Sequence, residues 1–209
     1  MEPREPVEEG LARRLGSRGA APGAALREQS ARLLNRLRHY DRAVYRSVAQ
    51  LETPLLDEPL RRLSRYANHS KPWFVVAGVL ALAGGPPGRR AAMTGLVAVG
   101  TTSLVVNQPL KLAGRRRPDR KDLGVPPDRW VRMPSSTSFP SGHAASAAAF
   151  AIAVGDSWPA LRLPLRVAAS AVAFSRVYTG VHYPSDVVVG ATVGALLGRL
   201  VSRTVARLR

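Results

Sequence analysis

The stretch "SRVYTGVHYPSD", residues 175–186, holds Arg176, His182 and Asp186 within twelve residues, punctuated by Gly180 and Pro184. Apolar runs flank it, "VAASAVAF" (167–174) before and "VVVGATVGALLG" (187–198) after. Ionisable groups confined to a turn between two apolar helices are costly in a membrane setting, so their presence marks a functional site.

Further apolar segments appear on working outward. "WFVVAGVLALAGG" (73–85) is uncharged but short, so its helix is expected to extend back towards Tyr66. "AAMTGLVAVGTTSLVVNQPL" (91–110) is an uncharged stretch of the length that crosses a bilayer. "HAASAAAFAIAVGDSWPAL" (143–161), "LPLRVAASAVAFSRVYTG" (163–180) and "VVVGATVGALLGRLV" (187–201) complete the set. Their Ala, Gly and Ser content permits close helix packing in lipid. The expected fold is an all-α integral membrane bundle of five transmembrane helices, six if residues 40–60 also span. A soluble helical bundle is the competing reading.

Residues 1–29 combine Pro, Gly, Arg and Glu without an apolar run, and read as a disordered basic tail rather than a signal peptide. Residues 30–66 read as an amphipathic interfacial segment. Leu33, Leu34, Leu37, Tyr40, Val44, Val48 and Leu51 recur three or four apart, and Arg32, Arg36, Arg42 and Arg46 fall mostly on other faces. Residues 67–209 form the expected transmembrane core.

The chain has 31 Lys and Arg against 14 Asp and Glu, and all but three of the basic residues are Arg. Such an excess suits an anionic partner, although a GC-rich coding sequence produces the same bias. The absence of Cys excludes disulfides, zinc–thiolate sites and thiol nucleophiles.

Threading the chain through five spans brings the segments before residue 73, between 110 and 143, and between 180 and 187 to one membrane face. Three polar clusters meet there. "KLAGRRRP" (111–118) is a basic run, which taken alone also fits a solvated or headgroup-binding face. "FPSGHAAS" (139–146) places Pro140 and Gly142 at a helix entry whose exposed N–H groups suit an anion, with His143 beside it. The third cluster is the opening stretch.

Together these clusters resemble the signature of the type 2 phosphatidic acid phosphatase superfamily, written KxxxxxxRP, PSGH and SRxxxGHxxxD. The second motif reads "PSGH" (140–143); the third reads "SRVYTGVHYPSD", with Val181 between Gly180 and His182. The first has five residues between Lys111 and Arg117 where the family has six, and one residue on a helix turns a side chain by about 100°. The resemblance covers roughly residues 45–201.

In the mechanism that the resemblance implies, His182 attacks phosphorus and forms a phosphohistidine, while Asp186 accepts the other imidazole N–H. Lys111, Arg117 and Arg176 would hold the non-bridging oxygens, with the backbone N–H groups of Ser141 and Gly142 and the Ser141 hydroxyl. His143 would protonate the leaving group and then activate water. No metal or other cofactor is required. The implied substrate is a lipid phosphate or diphosphate: a polyprenyl diphosphate, a polyprenyl-linked sugar phosphate, phosphatidate or phosphatidylglycerol phosphate. His39 and His69 match no motif and read as ordinary interfacial residues.

On this topology 23 of the 31 basic residues lie on the active-site side, which by the positive-inside rule faces the cytoplasm of a multi-pass cell-membrane protein. A homo-oligomer would be unsurprising in so Ala- and Gly-rich a bundle. Three alternatives stay open: a vanadate-dependent haloperoxidase-like enzyme, a catalytically silent membrane scaffold of the same fold, and a nucleic-acid binder driven by charge alone. The last lacks aromatic–basic interleaving and leaves the apolar helices unexplained; membrane lipids and a lipid phosphate are the expected partners, and nucleic acid is not.

Overall fold

In a computed structural model, residues 22–107 and 114–208 are described. Seven α-helices are present among them: α1 (Pro22–Ala49), α2 (Pro54–Tyr66), α3 (Lys71–Ala83), α4 (Gly85–Asn107), α5 (Gly142–Ser157), α6 (Arg162–Tyr178) and α7 (Pro184–Arg207). Short 3₁₀ turns lie at Asn68–Ser70, Pro127–Arg129 and Pro159–Leu161, and no strand occurs among the described residues. Lys111 and residues 1–21 fall outside them.

The chain forms two compact units, one up to Tyr40 and one from Asp41 onward. In the first, α1 is already helical at Pro22, ahead of the Ser30 start that the apolar periodicity suggests. Leu33, Leu34, Leu37 and Tyr40 are exposed along it. In the second unit, the last turns of α1 bury Asp41, Tyr45 and Ala49, one face at a spacing of four.

Within the second unit α5 is the central element, packing against α4, α6 and α7, while α3 packs on α4. Its composition explains this place. Ala144, Ala145, Ala147, Ala149, Ala151 and Ala153 are all buried, so neighbouring backbones approach from several sides. The closest approach is to α7, where Gly190, Gly194 and Gly198 recur every fourth residue. A Cβ on them would lie 2.4, 2.0 and 2.5 Å from the carbonyl oxygens of Ser141, Ala145 and Ala149. Small residues at this spacing are the usual device for close helix contact in lipid. The contact brings the N-terminal ends of α5 and α7 together, and there Ser141 N–H donates to the Asp186 carbonyl at 2.9 Å.

The expected extension of the 73–85 helix back to Tyr66 does not occur. His69 and Ser70 adopt left-handed backbone angles (φ 57° and 58°), and α2 and α3 are separate helices on either side of them. The other segments are shifted rather than lost. α4 starts at Gly85, with Pro86 and Pro87 in its first turn, where missing N–H groups cost nothing. Large apolar side chains face outward on four helices: Phe74, Val79 and Leu82 on α3, Met93 and Leu104 on α4, Leu163 and Val167 on α6, Leu196 and Leu200 on α7. By length and composition one described helix, α7, is long and apolar enough to cross a membrane.

Candidate active site

The spacing in "SRVYTGVHYPSD" is that of a helix end, a turn and a helix start. Gly180 has φ 72°; its N–H donates to the Val177 carbonyl at 2.9 Å, and Val181 N–H donates to the Arg176 carbonyl at 3.1 Å. That pair of bonds is a Schellman closure of α6, which needs a residue at ease with positive φ. His182 N–H also reaches the Arg176 carbonyl, at 3.2 Å, so the six-residue interval returns His182 to the helix end that carries Arg176. Pro184 then opens α7, and Asp186, third in that helix, accepts the Tyr183 N–H at 2.9 Å as a capping carboxylate. One carboxylate thus caps α7 and faces the imidazole four residues earlier.

His182 is 2 % exposed, and its Nδ1 lies 3.6 Å from Asp186 Oδ2. On the opposite side of the ring, Arg117 Nη1 is 3.3 Å from Nε2. A guanidinium only donates, so Nε2 carries the lone pair and Nδ1 the proton, which points at Asp186. Burial, reinforced by the nearby Arg117 and Arg176, pushes the imidazole down to about 4 against the opposing pull of Asp186. The ring is therefore neutral near pH 7 and available as a nucleophile.

Asp186 is fully buried and fully engaged. Besides the Tyr183 N–H it accepts the Ser138 hydroxyl and Arg115 Nη1, the latter at 2.9 Å. Arg115 stacks over the Tyr183 ring and pairs through Nη2 with Asp41 on α1. Asp41 in turn accepts the Ser185 N–H at 2.8 Å and its hydroxyl at 2.7 Å.

The "RRR" run resolves by backbone geometry. Residues 114–119 form no helix; Arg115 and Arg117 are half-buried on the site side, and Arg116 between them is exposed. The period is two, so the helical-turn comparison does not govern Arg117. Arg117 donates to the Ser136 and Val181 carbonyls, both at 2.8 Å, which aims its fork at His182. Arg176 is 1 % exposed and donates through Nη1 to the Ser64 carbonyl and hydroxyl, both at 2.7 Å, while its Nε is buried without a partner. Among the described residues no carboxylate pairs with Arg117 or Arg176. Burial also lowers the affinity of Arg117 for its proton, against the opposing pull of Asp186.

Ser141 is the N-cap of α5, its hydroxyl accepting the Ala144 N–H. Its own N–H, expected in the anion cradle, is instead engaged by the Asp186 carbonyl. Gly142 and His143 remain at the cavity wall. The cavity, about 110 Å³, is lined by Arg117, Gly142, His143 and His182 together with His69, Ser70, Pro134 and Ser136. His143 Nε2 is 2.9 Å from Asn68 Oδ1. A larger groove of about 390 Å³ between α6 and α7 is walled mainly by alanines and contains none of these groups.

The geometry thus gathers six of the eight residues singled out in the sequence, His143, Gly142, Arg176, His182 and Asp186 at three helix ends and Arg117 on the extended segment that faces them. Ser141 serves them as a cap, and Lys111 lies outside the described residues. Missed were Asp41, Arg115, Ser138, Ser185, Asn68 and Ser70. His69, read from the sequence as interfacial, lines the cavity. Two positive helix N-termini, the Arg117 guanidinium in the cavity wall and a neutral imidazole beside it make a setting that can accept an anion.

Comparison with known proteins places the chain in a family. The chain is similar to the decaprenylphosphoryl-5-phosphoribose phosphatase of Mycobacterium tuberculosis, 35 % identical over 67 % of this chain and 78 % of that protein. A transmembrane PAP2-type phosphatidylglycerolphosphate phosphatase from Bacillus subtilis superposes with a TM-score of 0.66 at 25 % identity, covering 84 % of this chain and 89 % of that one. LpxE of Aquifex aeolicus shares the fold, with a TM-score of 0.62 at 20 % identity over 77 % of this chain and 93 % of that one. Residues 91–209 match the PAP2 superfamily as a whole, and the chain belongs to that superfamily of phosphatases.

Proposed function

We propose that the protein is a multi-pass membrane phosphatase that hydrolyses a phosphomonoester or diphosphate of a lipid-linked substrate through a phosphohistidine on His182. The observation that carries this reading is the Arg117 guanidinium, without a carboxylate partner among the described residues, set against the lone-pair nitrogen of a buried, neutral His182, with the buried Arg176 nearby. An incoming phosphate supplies the missing negative charge and displaces the Arg117–Nε2 contact.

The steps then balance. His182 Nε2 attacks phosphorus as the P–O bond to the lipid breaks, and His143 gives a proton to the departing oxygen. The imidazolium formed at His182 keeps its Nδ1 proton, directed at Asp186. Water then attacks phosphorus, losing its proton to His143, the P–N bond breaks, and inorganic phosphate leaves a neutral His182. Arg117 and Arg176, with the N-terminal backbone of α5 at Gly142, meet the charge of the transferred group, so no metal enters either step.

The outward apolar side chains on α3, α4, α6 and α7 support a five-helix membrane bundle. With α3 only 13 residues long, it is a thin one, and its site is reached from the headgroup layer. The named activity of the mycobacterial relative favours, as substrate, a phosphorylated sugar carried on a polyprenyl phosphate. The excess of basic residues on the site's side supports a cytoplasmic site. Cys substituted at the exposed Asp122 and treated with an impermeant thiol reagent in sealed cells tests this; labelling would place the site outside.

The function itself is tested by phosphate release in detergent with EDTA, from a panel of lipid phosphates that includes a polyprenyl-linked sugar phosphate. Activity is expected to survive EDTA and to fall at least about 10⁴-fold in His182→Ala. No release from any lipid would leave the silent scaffold as the better reading.

A further inference from the structure

The PAP2 motifs end their account of His143 at the helix start, yet the ring has a partner that no motif contains. His143 Nε2 lies 2.9 Å from Oδ1 of Asn68, in the turn between α2 and α3. That turn is unusual in its own right. The next two residues, His69 and Ser70, both hold left-handed backbone angles (φ 57° and 58°), and both line the cavity with His143 and His182. Two consecutive non-glycine residues in that region are unfavourable unless the surroundings impose them, and such outliers collect at working sites. Here the turn carries Asn68 to the mouth of α5.

We infer that Asn68 is a positioning residue for His143: its amide carbonyl takes the Nε2 proton, fixes the ring's tautomer and plane, and assigns the exchangeable proton to Nδ1. An amide oxygen only accepts, so the neutral ring has its lone pair at Nδ1, and the protonated ring donates from there to the leaving oxygen. The arrangement parallels that at His182 with one chemical difference. Asp186 is a charged partner suited to a ring that becomes cationic when phosphorylated. Asn68 is a neutral partner, which holds the ring without stabilising its proton, as suits a group that must give the proton up and take it back. Among the described residues that line the cavity with His143, the charged and titratable groups are Arg117 and His182 and, on the adjoining turn, His69. Behind His182 stand Asp186 and Arg176. The variants below leave all of these in place.

This inference rests on the proposed phosphatase reading, and the test separates the two. First, the His143 ring is titrated by NMR in histidine-labelled protein without substrate, the signal being assigned by its loss in His143→Gln. Asn68→Asp places a carboxylate on Nε2–H and is expected to raise the His143 titration by about one pH unit. A titration that stays in place in Asn68→Asp overturns the inference whatever the activity. Second, kcat/KM is compared for short-chain phosphatidate, whose alkoxide leaving group needs a proton, and for p-nitrophenyl phosphate, whose phenolate does not. Asn68→Ala is expected to lose about 30-fold on phosphatidate and under threefold on the aryl ester, because only proton delivery is impaired. In Asn68→Asp, phosphatidate activity is expected to recover in part, with its alkaline limb moved upward. Equal losses on both substrates would mean that Asn68 merely supports the turn, and would overturn the inference. A wild-type protein inactive on every phosphate ester would instead count against the phosphatase reading, with the NMR titration still deciding the role of Asn68.

Discussion

The two histidines of the site share one cavity of about 110 Å³ but stand in opposite kinds of surroundings. His182 is 2 % exposed, and behind it lies a web through Asp186, Ser138, Arg115, Ser185 and Asp41 that reaches α1. His143 sits at the rim, joined across the turn to Asn68. In the mechanism proposed above, the difference suits the separate tasks of a nucleophile and an acid–base group. A nucleophile forms and breaks a bond to phosphorus and changes charge each time, so its position and tautomer must survive two covalent events. Redundant support of buried polar groups provides that. An acid–base group meets leaving groups of varied shape and benefits from a ring that is oriented but not enclosed. The first consequence is a gradient of sensitivity through the His182 web.

Asp186→Asn should show the largest effect within it. The amide keeps the shape but presents an NH₂ where Arg115, Ser138 or the imidazole needs an acceptor, and it removes the charge that supports the cationic ring. We expect kcat to fall about 10³-fold, with KM changed much less, since the carboxylate acts on the ring and not on the phosphate. Steady-state kinetics on the best lipid substrate would show it. A loss confined to KM would mean that Asp186 organises the anion cradle and not the nucleophile.

Asp41→Asn lies three contacts from the ring and should cost less, about tenfold in kcat, with a lower thermal midpoint in detergent. The Asp41 side chain is 4 % exposed and that of Arg115 is 25 % exposed, so their pairing is only partly screened by solvent. Arg115 would retain Asp186 but lose its second carboxylate. If kcat is unchanged while the midpoint falls, the web ends functionally at Arg115, and Asp41 merely secures α1.

This gradient also explains what could be read from the sequence. His143, His182, Asp186 and Arg176 were legible because helix caps and a Schellman turn impose short, fixed intervals that the sequence displays directly. Asp41, Arg115 and Asn68 were not, because each reaches its partner across some 70 residues or more of chain and is of a type common on any surface. Arg115 and Arg117 were separable in principle, since an extended backbone puts alternate residues on one side. That required knowing that residues 114–119 are not helical. The helix break at His69–Ser70 was hidden for a similar reason. "ANHSKP" contains no glycine to announce positive φ, and a continuous helix through it fitted the need for a longer span. The five apolar segments correspond to helices α3 to α7 with other bounds, because Pro and Gly positions move the helix ends by several residues, and among the described residues one of these helices, α7, is long and apolar enough to cross a membrane.

The smallest effect concerns charge rather than contact. His182 is held down to about 4 by burial first and then by Arg117 and Arg176, with Asp186 pulling the other way. An unfolded histidine titrates near 6.5. Between that value and about 4 the unfolded chain binds a proton that the folded chain refuses. Stability should therefore be undiminished by this group above about pH 6.5 and should decline as pH falls through the window. Arg117→Gln removes one of the two cations and leaves the burial, so the His182 titration should move up by less than about one unit. Asp186→Asn removes the opposing charge and should move it down. The ring signal, followed by carbon-13 NMR of histidine-labelled protein and assigned by its loss in His182→Gln, reports the titration without substrate. That matters because a phosphate ester itself titrates near pH 6 and would obscure a rate profile. Opposite displacements in the two variants are the result expected if a contest between unpaired guanidiniums and one carboxylate sets the nucleophile's charge. If both variants move the titration the same way, or neither moves it, burial alone keeps the ring neutral. The arginines would then act on the phosphate only, and the dense web around His182 would serve its position and not its charge.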